Sequence, residues 1–412
     1  MIPGPQSGAA AGGATMATYD CDAPVRSLVA VGGSDATMFA AGTQTIRGGN
    51  AVHIVSHDRD RDVARCAAVL THPDGEIWSM DARCSDGGSG GDRDVLATAF
   101  DGVDGTSRGG VAIWRLPPSL DPRGDPTRGD LARLGTVRSS DVSDVSDVSG
   151  ATPRCVRWSA ADPAVLAVVA DSFLAIVRVD AEGGPDPKPS TRGALPAGSH
   201  VPSPACASFH PDEEHVVAVA GFGPDVHVYD ARAGLRAPSQ TVQNAHALQV
   251  RGVDYDPGAA GTSLATCGDD GATKTWDARR LTKPTGDSRL ATNPDDDGHA
   301  HWAWCVAHNP EYPDRLLASC GGDGVVRLWR TDGGVPPAGV AASRGSSGFD
   351  GAGSDGSSRL RAAASFRGSH ADTVYQTAWG RGDDPWTLAS VSYDGRVVLD
   401  QVPRAEKYRI LL

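Results

Sequence analysis

The chain lacks any apolar run long enough to cross a membrane as a helix. The best, AVLAVVA at 164–170, falls well short of the roughly 18 residues such a span needs. It also lacks closely spaced cysteines. Cys21, Cys66, Cys84, Cys155, Cys206, Cys267, Cys305 and Cys320 are scattered with no C-x-x-C pair, which argues against a zinc knuckle or a small disulfide framework and for reduced, mostly buried thiols. A surplus of positive charge is missing too. The 38 Lys and Arg stand against 51 Asp and Glu, a formal net charge of -13, the wrong sign for a nucleic-acid partner. None of Asn50, Asn244, Asn293 and Asn309 begins an N-x-S/T acceptor. The opening MIPGPQSGAAAGGATMAT has neither a basic segment nor a leucine-rich core, and the first arginine is Arg26. It resembles no secretory or transit signal, and residues 1–24 are expected to be a disordered leader. These absences describe a cytoplasmic protein.

Chemistry is equally sparse. No G-x-x-x-x-G-K-[ST], H-E-x-x-H or G-x-S-x-G occurs, so no catalytic residue, cofactor or metal is expected. What the 412 residues do hold is turn-forming composition, with Gly 51 and Pro 28 beside 40% hydrophobic residues. That favours many short strands over long helices.

A repeat organises those strands. Three segments begin at His246, His299 and His370. Twenty residues on stand Thr266, Ser319 and Ser390, and 24 on stand Asp270, Asp323 and Asp394, each followed by glycine. Six residues beyond the aspartates come Trp276, Trp329 and, in the last copy, Asp400. Between the markers, SLATCGDDGATKTWDAR, LLASCGGDGVVRLWR and TLASVSYDGRVVLDQV each read as two short strands joined by Asp-Gly, a pair suited to tight hairpin turns. Weaker copies span 75–116, 154–180 and 205–232, and RSLVAV, TMFAAG and AVHIVS at 26–56 add one more. The expected fold is all-β, a closed propeller of seven blades over 25–412. The stretches at about 117–150, 181–204 and 331–367 are expected to be disordered inter-blade loops, the first holding DVSDVSDVS. The outer strand of the last blade could come from EKYRILL at the C-terminus or from the region before Arg26.

This pattern resembles the WD-repeat family, whose members are β-propellers. The resemblance implies that the histidine, hydroxyl, tryptophan and aspartate of one blade form a buried hydrogen-bonded set that pins its strands. A catalytic triad of His246, Thr266 and Asp270 is disfavoured, because the same set recurs in the next blade. Asp400 leaves the last set incomplete. Family geometry also puts the residue five after the histidine near the rim of the central channel: Arg251, Trp304 and Tyr375, with Trp78 nearly equivalent after His72. Such residues have the composition of a protein-binding hot spot. The alternative is that the aromatics pack between blades. Trp302 is expected to be exposed in the loop entering its strand.

Within the family, GEIW at 75–78, NAHALQVRGVDYDP at 244–257, CGDDGATKTWDAR at 267–279, HWAWCVAHN at 301–309 and YDGRVVLDQVPRAEKYRILL at 393–412 resemble the proteins that interact with the EARP and GARP tethering complexes. The tail is the most specific of these. Where that family tends to carry an acidic insertion before its last repeat, this chain has Gly, Ser and Ala. The resemblance implies a non-catalytic, monomeric factor that binds subunits of EARP and possibly GARP. It would be recruited to endosomes and the trans-Golgi network without inserting into lipid, and support recycling and retrograde transport. A second reading rests on Tyr229 to Arg232 and Trp276 to Arg279. These resemble the W-D-x-R signature of substrate receptors on cullin ubiquitin ligases and make Arg232 and Arg279 adaptor-docking candidates.

Overall fold

The computed structural model describes the chain apart from residues 1–15, 33–36, 47–48, 59–60, 62, 84–94, 103–108, 118–119, 122–123, 139–150, 172, 180–190, 194–203, 259–260, 291–297, 332–357 and 383. The DVSDVSDVS tract and Cys84 therefore lie outside the described residues. The strands form seven sheets, the blades of a β-propeller, here numbered I to VII. Their inner strands are Val25–Val31, Glu76–Arg83, Pro153–Trp158, Pro204–Phe209, Val250–Tyr255, Ala303–His308 and Val374–Trp379. Each pairs antiparallel with the second strand of its own sheet.

The second strands explain why no alternating pattern marks the chain. Met38–Thr43, Val165–Ala170, Leu316–Gly321 and Thr387–Ser392 are buried at every position. A blade is covered on both faces by its neighbours, so both sets of side chains must be apolar or small, giving near-continuous hydrophobic runs. The core is accordingly divided among the blade interfaces. Ile54, Ile77 and Trp114 pack between I and II, Val111 and Val168 between II and III, Ile176 and Val219 between III and IV. Phe39 and Val397 join VII to I. Similar clusters join IV to V, VI to VII and V to VI.

The expected disordered leader over 1–24 needs correction, and of the two sources open for the last outer strand the region before Arg26 is the one used. Met16–Asp20 is a strand, antiparallel to Arg396–Gln401, and forms the outer strand of blade VII. Only Ala17 within it is buried, so its sequence carries little hydrophobic signal, while backbone pairing and Ala17 tie it down. The alternative source of that strand, EKYRILL, is helical instead, within Arg404–Leu411. Its run of Ala, Glu, Lys, Arg and Leu suits a helix, and buried Glu406 fixes it by accepting hydrogen bonds from Arg330 and Arg409.

The three inter-blade stretches also contain strands that had been expected to be disordered. Ala132–Arg138, Thr191–Gly193 and Arg361–Phe366 are the outer strands of blades II, III and VI. Thr127–Asp130 pairs in parallel with Val63–Thr71, the outer strand of blade I, and Ser358–Arg359 pairs in parallel with Pro284–Asp287 of blade V. Thr127–Asp130 is exposed throughout and Arg361–Phe366 buries only Phe366, so these segments need few apolar residues and look like linker in the sequence. In both cases the chain between a blade's third and fourth strands covers the open edge of the preceding blade, which would otherwise present unpaired backbone groups.

Ring closure by Met16–Asp20 gives a first prediction. Removing residues 1–20 should expose the edge of Arg396–Gln401 and lower the melting temperature by roughly 5 °C or more. An unchanged melting curve would show that this strand does not hold the ring.

Candidate partner-binding face

The residues spaced 20 and 24 apart meet in space. His246 shares a 2.8 Å hydrogen bond through Nε2 with Thr266 Oγ1 and a 2.9 Å contact through Nδ1 with Asp270, while the Trp276 indole donates to Thr266 at 3.0 Å. In blade VI the same set is His299, Ser319, Asp323 and Trp329, with 2.8 Å from His299 to Ser319 and 2.8 Å from Trp329 to Ser319. The aspartates also accept from the backbone of Ala247 and Ala300. Burial works against the charge of Asp270 and Asp323, yet these hydrogen bonds outweigh it and hold both carboxyls below the usual range. Burial pushes the His299 imidazole down, against the pull of Asp323. The glycine after each aspartate sits at positive φ, +72° for Gly271, +71° for Gly324 and +85° for Gly395, the conformation the hairpin turn requires. Gly268 and Gly321 make room for the imidazoles, since a Cβ there would stand 2.9 Å from His246 and 2.7 Å from His299.

Blade VII keeps part of the set. His370 bonds Ser390 at 2.8 Å, but its distance to Asp394 is 3.5 Å. Asp400, at the tryptophan position, is buried with Oδ2 unpartnered among the described residues, and burial raises its pKa to about 7. Blade II holds a further set that the spacing concealed: His72 bonds Thr98 at 3.0 Å and Trp114 donates to Thr98 at 2.8 Å. Insertions in both hairpins stretch its offsets to 26 and 16 residues.

The rim residues come together at one mouth of the channel. Every inner strand has a register shift at its start, between Val25 and Ser27, Ile77 and Ser79, Pro153 and Cys155, Pro204 and Cys206, Val250 and Gly252, Ala303 and Cys305, and Val374 and Gln376. A bulge re-aims the extra side chain, and the skipped residues are Arg26, Trp78, Arg154, Ala205, Arg251, Trp304 and Tyr375. All seven are half-buried and line a cavity of about 580 Å³. Around the ring, arginines stack on aromatics: Arg26 lies 4.5 Å from Trp78 and 4.7 Å from Tyr375, Arg154 lies 4.3 Å from Trp78, and Arg251 lies 4.6 Å from Trp304. The ring arginines other than Arg251 were not visible from the repeat, because blades I and III carry no histidine to count from. The small residue that follows, Ser27, Ser79, Cys155, Cys206, Gly252 or Cys305, is a signal that would have found them.

Exposed apolar side chains stand beside this mouth. Trp302 is 40% exposed and packs edge-on to Trp304. Phe222, Leu248 and Tyr393 are also exposed. Phe222 lies 5.6 Å from Arg251, and Tyr393 meets Tyr375 at 6.2 Å. Arg232 and Arg279 lie elsewhere. Thr273–Asp277 runs away from the mouth, since Asp277 pairs with Ser263 and Gly268 pairs with Val250. Arg279 therefore sits on the opposite face, closed onto Asp277 at 3.0 and 3.1 Å, and Arg232 is closed likewise onto Asp230. Among the described residues no three His, Cys, Asp or Glu gather to hold a metal, and no helix is long and apolar enough to cross a membrane.

Two measurements check the blade sets. Ser319→Ala leaves the buried Trp329 N–H without its acceptor and His299 Nε2 without the hydroxyl that donates to it, and should cost about 2–3 kcal/mol in denaturant unfolding; a loss under about 0.5 kcal/mol would refute the pinning role. For Asp400, the folded pKa near 7 lies above an unfolded value of about 3.9. Its charge therefore costs stability progressively as pH rises from about 4 to 7, and the cost is full above 7. Asp400→Asn should raise the melting temperature more at pH 8 than at pH 5. Equal gains would exclude the titration.

No family model matches the chain. It is 27% identical over 398 residues to EARP and GARP complex-interacting protein 1 of Rattus norvegicus, covering 92% of this chain and 94% of the rat protein. It is 26% identical over 379 residues to WD repeat-containing protein DWA2 of Arabidopsis thaliana, covering 89% and 91%. EARP-interacting protein 1 of Caenorhabditis elegans is 32% identical over 183 residues, covering 41% and 44%. With seven sheets, pinned hairpins and this breadth of similarity, the chain is a seven-bladed WD-repeat β-propeller similar over most of its length to proteins that interact with the EARP and GARP complexes.

Proposed function

We propose that the protein is a non-catalytic scaffold that binds subunits of the EARP tether, and of GARP, through the channel-mouth face. In this reading it is a cytoplasmic monomer carried by its partner to endosomes and the trans-Golgi network, where it supports recycling and retrograde transport. The observation that carries the site is the arc of Phe222, Arg251, Trp302, Trp304, Tyr375 and Tyr393. Tryptophan, tyrosine and arginine dominate binding hot spots because they bury large rigid surfaces at small entropic cost. The relatives' names supply the partner.

Capture of tether subunits from mild lysates tests the reading. Trp302→Ala removes an exposed ring and should weaken capture by roughly tenfold or more, with the fold intact by melting. Arg279→Ala, on the other face, should leave tether capture unchanged. The reading fails if the wild-type chain recovers no tether subunit, or if Trp302→Ala recovers as much as wild type. Retention of a cullin adaptor that is lost in Arg279→Ala would favour the substrate-receptor reading instead.

A further inference from the structure

The arginines of the channel mouth are not equivalent. Arg251 is closed onto Asp269 by two hydrogen bonds of 2.5 and 3.0 Å, and Arg154 onto Asp171 at 2.9 and 3.4 Å. Both aspartates directly follow a second strand, after Gly268 and after Ala170. In blade I the residue after the second strand is Gln44, which donates to Glu76 at 3.1 Å. Arg26 thus loses the carboxylate its counterparts have. It makes no ion pair among the described residues, and its guanidinium is surrounded by Trp78, Tyr375 and Trp304 at 4.5, 4.7 and 5.6 Å. Burial weighs most against its charge, Arg154 and Arg251 add to that, and Tyr375 and Glu76 work the other way.

Two more donors are unused. The indole N–H groups of Trp78 and Trp304 are buried without an acceptor among the described residues. A buried donor left unpaired is destabilising, and these two belong to rings that wall the cavity. The mouth therefore combines an unneutralised guanidinium, two unpaired N–H donors and an open cavity, in a chain whose overall charge is -13.

We propose that the mouth accepts the carboxylate of an aspartate or glutamate on a bound peptide segment. Arg26 is its counter-charge, held between the rings of Trp78 and Tyr375. Apolar neighbours of that acid lie on Phe222, Leu248, Trp302 and Tyr393. A planar guanidinium matches a carboxylate, and the exposed rings outside the mouth match apolar flanks. A polyanion is disfavoured by the chain's own negative charge. The proposal rests on the channel-mouth face being the one that binds partners.

The test selects short random peptides on the immobilised full chain and measures the best by fluorescence polarisation, each as the acid and as its amide variant. Selected peptides should share one Asp or Glu beside apolar residues, and changing it to Asn or Gln should weaken binding about tenfold or more. Arg26→Gln, folded by melting, should bind acid and amide peptides alike, and Arg26→Lys should keep part of the preference. The proposal is overturned if no peptide is selected, if the selected peptides lack an acid, or if folded Arg26→Gln keeps the wild-type preference. Tether capture that depends on Trp302 while acidic peptides are ignored would sink this inference and leave the proposed function standing. Acidic peptides bound at Arg26 with tether capture indifferent to Trp302 would do the reverse.

Discussion

A closed ring of blades has no outer sheet to complete its inner strands, so seven backbone edges face the central channel. Their N–H groups need acceptors, and at four of the seven junctions the neighbouring blade supplies them. Gln376 accepts from Leu28 N, Ser79 from Val156 N, Asp81 from Trp158 N, Ser208 from Tyr255 N and Asp254 from His308 N. These bonds tie inner strand to inner strand around the ring, from VII to I, II to III, IV to V and V to VI. Polar residues at these positions are therefore structural. Asp81 illustrates the tension: burial raises its pKa, opposed by Arg157 and by the Trp158 N–H.

The same constraint shapes the binding face. Because the inner strands cannot widen their sheets, variation enters through the bulge at the start of each, where one side chain is turned into the mouth at no cost to the interface behind it. Three arginines and three aromatics share seven such positions with Ala205. Stacking lets like-charged guanidinium groups sit close together, since each aromatic face offers negative density. A protein acidic overall thus presents a locally cationic, apolar-rimmed mouth.

Legibility of the sequence followed hairpin length. His246, Thr266, Asp270 and Trp276 keep their offsets because blades V and VI have short turns, so the distance along the chain is a fixed image of the distance in space. Blade II forms the same bonds with His72, Thr98 and Trp114, and longer turns hide them. Trp302, Trp304, Tyr375 and Arg251 could be counted from a histidine, while Arg26 and Arg154 could not. The region before Arg26 was one of two sources open for the last outer strand, and Met16–Asp20 supplies it, whereas the strands within 117–150, 181–204 and 331–367 escaped for a different reason. An outer strand is held by backbone pairing on one side and water on the other, and that leaves little mark on residue type.

The pairing of Met16–Asp20 with Arg396–Gln401 also has a meaning in time. Met16–Asp20 leaves the ribosome long before its partner strand does. At about 5–20 residues per second, the two are apart for some tens of seconds. Blades I to VI can collapse on one another as they emerge, but Met16–Asp20 waits for residues 374–401, and during that interval an open-ended stack of sheets exposes its terminal faces. Where the ring is sealed thus sets how long its last sheet edges stay open during synthesis.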